Sequence, residues 1–194
     1  MPTPRYRLEA LGFACLDESG LDIFGSDEPR WFFTWTNGKA PKTVASREFG
    51  DIDSGDTRRW TPPLRITPGG GVAGPLALNI VLYEVDQGDE DKMRKAVETA
   101  ATAANLVAMA KTGKPLPLPE SVKKQLVKLL GNDLMGSATA AFSAAELRRR
   151  LTRPGTSVVR TLKIGGNSGD LPFEVAGGPD YQITFRVVRE RDAN

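Results

Sequence analysis

LALNIVLYEV, residues 76–85, sets Leu76, Leu78, Ile80 and Leu82 at every second position. Side chains two residues apart share one face of an extended chain, so this spacing predicts a strand with one face turned to a core. Working outward toward the N-terminus, Pro68–Gly74 (PGGGVAG) predicts a loop, and Trp60–Thr67 a strand whose Pro62 and Pro63 place it at an edge or a bulge. Gly50–Asp56 (GDIDSGD) predicts an acidic loop. Lys42–Phe49 predicts a strand that pairs, across the turn dipeptide Asn37-Gly38, with the aromatic run Arg30–Thr36 (RWFFTWT). Arg5–Leu16 opens the series with Tyr6, Leu8, Leu11, Phe13 and Cys15 in partial alternation.

Toward the C-terminus the period changes. Met93, Ala96, Val97, Ala100, Ala101, Ala104 and Val107 recur at helical spacing through about Lys111. After the turn Gly113–Pro119 a second helix is predicted over Glu120–Leu130, with Gly131 as its stop. The β pattern then resumes in Ser137–Phe142, Val158–Ile164 and Tyr181–Arg189, and Ser143-Ala-Ala-Glu146 has the form of a capping box. Helices lodged between runs of strands predict a mainly β, antiparallel sandwich with an inserted helical hairpin at about 91–131. The organisation expected is one domain, 1–194, with 87–131 as the insertion.

The bulk composition narrows the chemistry. A chain of 194 residues with 20 Gly and 14 Pro suits a turn-rich β fold. The net charge of +2 and the lack of interleaved aromatic and basic residues speak against a nucleic-acid partner. The absence of histidine removes Ser-His-Asp and Cys-His catalysis, and a single cysteine, Cys15, leaves no Cys₄ metal site and no internal disulfide. Cys15 is read as a small buried hydrophobe. No activity is expected, although carboxylates around a divalent ion leave a third, enzymatic reading open. With no secretory signal or membrane span seen, a cytoplasmic or peripheral location is expected.

Acids gather at residues 17–28, 48–56 and 84–91. Asp17, Asp22 and Asp27 follow the first predicted strand, and Glu84 and Asp86 stand where the strongest one ends. Loops of a sandwich collect at its two ends, so these carboxylates could converge on a hard cation, which takes six to eight oxygens. They could equally be solvated turns, since Asp and Gly are turn residues.

Three stretches resemble the C2 domain family, a calcium-dependent membrane-docking sandwich. Gly25-Ser-Asp-Glu-Pro-Arg-Trp31 is similar to that family's Gly-x-Ser-Asp-Pro-Tyr, with one residue extra before the proline. Ile80-Val-Leu-Tyr-Glu-Val-Asp86 is similar to its Val-x-Val-Trp-Asp-x-Asp, and Asn132-Asp-Leu-Met-Gly136 to its Asp-Asp-x-Ile-Gly. The resemblance implies a calcium cup built from Asp22, Asp27, Glu84, Asp86 and Asp133; Asp17 sits earlier than any ligand of that family and is a further candidate outside the resemblance. Two departures are plain: Glu84 stands where the family has Asp, and a long helical segment replaces a tight loop between Asp86 and Asp133. The implied function is docking to an anionic lipid surface or a protein partner. Ile23 and Phe24 would insert at the loop tip or else fold back over the sandwich end. Lys123, Lys124 and Lys128 would form a basic helix face, on a helix that is either interfacial or packs its apolar stripe against its neighbour. The alternative is a metal-independent assembly module that uses the helical hairpin as its protein-binding surface.

Overall fold

The computed structural model describes residues 3–17, 28–84, 94–95, 97–99, 105–116, 119, 121–122, 124, 128, 134–165 and 179–191. Nine strands run through them: β1 (Arg5–Asp17), β2 (Pro29–Thr36), β3 (Lys42–Ala45), β4 (Thr57–Arg65), β5 (Val72–Ala73), β6 (Leu76–Glu84), β7 (Leu134–Phe142), β8 (Ser157–Gly165) and β9 (Asp180–Arg189). Two helices have described bounds, α1 (Leu106–Thr112) and α2 (Ala144–Arg150), and further helical residues lie at 94–95, 97–99, 121–122, 124 and 128. One sheet has the order β4-β1-β9-β8, with β5 also paired to β1; the other has the order β3-β2-β6-β7. Every pairing is antiparallel.

The sheets form a sandwich because each turns one alternating set of side chains inward. Leu76, Leu78, Ile80 and Leu82 of β6 meet Leu8 and Phe13 of β1 and Ile183, Phe185 and Val187 of β9 in one buried cluster. Aromatic rings lock the layers together: Phe13 lies 5.2 Å from Trp31, Trp31 6.1 Å from Tyr181, and Phe142 6.4 Å from Phe185. Cys15 belongs to this cluster at 1% exposure, as its reading as a hydrophobe requires.

Three expectations need correction. The strand predicted over Lys42–Phe49 ends at Ala45. The chain there leaves the ladder, with Ser46 Oγ accepting from Trp31 N–H at 3.0 Å, and Phe49 and Ile52 turn into the core. The strand predicted from Ser137 begins at Leu134, because a register shift opposite Leu82/Tyr83 lets Leu134 pair with Tyr83. Finally, no single helix runs from Met93 to Lys111. Residues 94–95 and 97–99 are helical, but Asn105 adopts φ 55° and α1 starts afresh after it. Asn is one of the few residues that enters the left-handed region readily. The capping box forms as read: Ser143 Oγ accepts from Glu146 N–H at 3.1 Å.

The outer face of the β3-β2-β6-β7 sheet is also covered. Ala77 of β6 and Ala141 of β7 pack against Leu106, Met109 and Ala110 of α1. Gly113 ends that helix at φ 69°, its N–H on Met109 O, and a Cβ there would lie 2.5 Å from Ser143 Cβ. Only glycine therefore brings α1 against the start of α2.

Candidate functional site

The strand register fixes which loops meet. Pro29 pairs with Glu84, and Tyr83 pairs with Leu134. The end of the first acidic loop, the exit of β6 and the entry of β7 thus stand side by side on three neighbouring strands. In the other sheet Asp17 pairs with Asp180 at the same end. The Gly50–Asp56 loop is tied there too, through Cys15 N–H on Asp56 O at 2.9 Å and Gly55 N–H on Cys15 O at 3.0 Å. An antiparallel hairpin returns its chain to where it left, so the long segment after β6 begins and ends beside the same loop.

Of the sequence-derived ligand candidates, Asp17 is exposed at the end of β1 and Glu84 is half-buried at the end of β6. Asp22, Asp27, Asp86 and Asp133 lie outside the described residues, as do Ile23, Phe24 and Lys123. Lys124 and Lys128 are helical and exposed, with Val122 buried on the same stretch. Among the described residues no group of three or more His, Cys, Asp or Glu side chains is disposed to hold a metal. No helix among them is long and apolar enough to cross a membrane.

The register adds acids that sequence reasoning did not place. Asp180 stands opposite Asp17, and Asp51 and Asp53 belong to the loop anchored on Cys15. Asp56 is already engaged: its Oδ2 accepts from Arg58 Nη2 at 2.8 Å. The buried Ile52 fixes this loop in the core. An isolated isoleucine inside a GDIDSGD stretch was the available signal for that anchoring, since an apolar residue gains nothing in a solvated turn.

The molecule is, by class, a two-layer antiparallel β-sandwich, and the described strand ends that bound its acidic segments lie at one end. No protein-family model matches the chain, and no curated protein sequence does. Among solved structures it is similar to a C2 domain of plant Extended Synaptotagmin 1, at 9% identity and a TM-score of 0.43, over 100% of this chain and 99% of that one. It is also similar to a protein described as a C2 domain, at 9% identity and a TM-score of 0.42, over 95% of this chain and 98% of that one. Human GIVD cytosolic phospholipase A2 matches at 8% identity and a TM-score of 0.46, over 100% of this chain but 18% of the enzyme. C2 domains are thus among the structures this sandwich resembles.

Proposed function

We propose that the chain is a non-catalytic, calcium-binding β-sandwich module that docks through its acidic loop end to an anionic membrane surface or a protein partner. In this reading residues 1–194 form one unit and 87–131 are a helical insertion in it. Asp22, Asp27, Glu84, Asp86 and Asp133 supply oxygens, with Asp17 at the rim. A carboxylate-only donor set suits a hard cation that accepts irregular, multi-oxygen coordination. Bound calcium would neutralise part of that charge and bridge to phosphate or carboxylate groups. Ile23, Phe24, Lys123, Lys124 and Lys128 are the contacts proposed for the docked surface.

The observation that supports this reading is the pairing of Pro29 with Glu84 and of Tyr83 with Leu134. Those described strand ends, which lie at one end of the sandwich, are the ones next in sequence to Asp27, Asp86 and Asp133. The test is thermal melting with and without calcium, on the wild type and on Asp27→Asn combined with Asp86→Asn. Calcium at a hundredfold excess over Kd should stabilise the wild type by about 2.7 kcal/mol and leave the double variant unmoved. Sedimentation with anionic vesicles should then require calcium.

A second reading is a metal-independent assembly module whose helical segment is the partner surface. It is favoured by the exposure of Lys111, Lys114, Lys124 and Lys128 along that segment. It predicts that neutralising the acidic end leaves partner capture intact.

A further inference from the structure

A cleft opens on the outer face of the β4-β1-β9-β8 sheet. Between β1 and β4 the register jumps from Ala10↔Leu64 to Gly12↔Arg59. Leu11 alone therefore spans the stretch occupied by Trp60, Thr61, Pro62 and Pro63 on β4, and the two strands part. The opening is a cleft of about 560 Å³, within the size range of small-ligand sites. Gly12 closes its floor by close approach, since a Cβ there would sit 2.5 Å from Arg58 O.

The lining is cationic and polar. Arg58 and Arg59 line it together with Thr57, Thr61, Thr184 and Gln182, and among the described residues no carboxylate does; the Thr184 hydroxyl is paired with that of Thr161 at 3.0 Å. Arg58 is committed to Asp56 and to Asp51 O. Arg59 is exposed, and its side chain makes no hydrogen bond or ion pair among the described residues. Trp60 also lines the cleft, but its ring packs on Phe13, Phe33 and Phe49 in the core, where among the described residues its buried indole N–H has no partner. A free guanidinium fork beside several short neutral donors suits a group that offers acceptor oxygens in more than one plane. A phosphate does this and a flat carboxylate does not. The volume exceeds that of bare phosphate, and Leu11, Ala14 and Pro63 give an organic body something to rest on. Strand addition by a peptide is opposed: β4 is an edge strand, but Pro62 and Pro63 carry no N–H to pair.

The geometry points to a binding site for a phosphorylated small molecule, taken free or as a lipid headgroup, with Arg59 as its principal anchor. This site is separate from the acidic end and needs no calcium.

The test is calorimetric titration of the full chain with glycerol phosphate in calcium-free buffer. Sedimentation with phosphatidylcholine vesicles, with and without phosphatidic acid, follows in the same buffer. Saturable binding that Arg59→Ala weakens about tenfold or more is the expected result. Arg65→Ala, which removes an exposed cation of the same strand from outside the cleft, should change it by less than about twofold. Binding of both probes, or of the vesicles alone, would support the site and identify the source of the phosphate. Thr61→Val supplies an independent check should Arg59→Ala lower the melting temperature, and it should also weaken binding. Absence of saturable binding to either probe, or equal losses in Arg59→Ala and Arg65→Ala, overturns the proposal.

Discussion

On one sheet, every residue of β6 from Leu76 to Tyr83 is buried; on the other, β8 alternates exposed and half-buried positions from Ser157 to Lys163. Both are sandwich strands, and their inner faces obey the same rule. They differ in what covers the outside. The β3-β2-β6-β7 sheet carries α1 on its back, whereas the outer face of the β4-β1-β9-β8 sheet bears Arg59, Arg65, Arg186 and Lys163 on its strands and a cross-strand ion cluster. There Glu9 is held by Arg7 at 2.7 Å and Arg186 at 2.8 Å. The covered face nevertheless keeps the residues of a solvated one. Thr43, Thr34, Asn79 and Thr139 lie in register across its four strands. Thr34 and Asn79 are fully buried. Thr34 and Thr43 satisfy each other at 2.9 Å, and Thr139 donates to Leu116 O at 3.0 Å. Among the described residues, both amide atoms of Asn79 and the hydroxyl of Ser137 have no partner. A cover laid over a face of polar composition thus leaves groups whose desolvation nothing offsets.

The largest expected effect that could break this comparison is a charge placed on each outer face. Val81→Asp buries an unpaired carboxylate under the cover and should cost at least about 3 kcal/mol in chemical denaturation. Val159→Asp, at a position 55% exposed, should stay within about 0.5 kcal/mol. Equal effects would mean that the two faces do not differ. Next in size, Gly113→Ala forces a left-handed alanine against Ser143. It should destabilise by about 1–3 kcal/mol, with the loss of hydrogen-exchange protection concentrated in α1. The smallest effects carry the opposite sign. Ser137→Ala and Asn79→Val remove unpartnered polar atoms and should each raise stability by up to about 1 kcal/mol. Destabilisation by both would show that these groups are satisfied in solution.

These two faces also mark what the sequence made legible. The alternation of Leu76, Leu78, Ile80 and Leu82 identified the inner face, and the Ser143–Glu146 box located α2, because both signals are local. Nothing local marks Asn79 and Thr34 as buried, since they carry polar side chains; they lie under a cover distant in sequence. The parting of β1 from β4 was half legible: two prolines announced an irregular strand, but a cleft requires Leu11 opposite them, which only pairing supplies. At the acidic end the candidate loops followed from composition and from the resemblance to C2 domains. That Asp180 stands beside Asp17, and that Ile52 pins the Gly50–Asp56 loop, depends on register and packing.

The central claim is that the acidic end binds calcium, and calorimetric titration of calcium into the full chain tests it most directly. The account predicts a saturable heat in the wild type that Asp27→Asn with Asp86→Asn abolishes, while Arg59→Ala leaves it unchanged. No heat up to millimolar calcium, or an undiminished heat in the double variant, would contradict it.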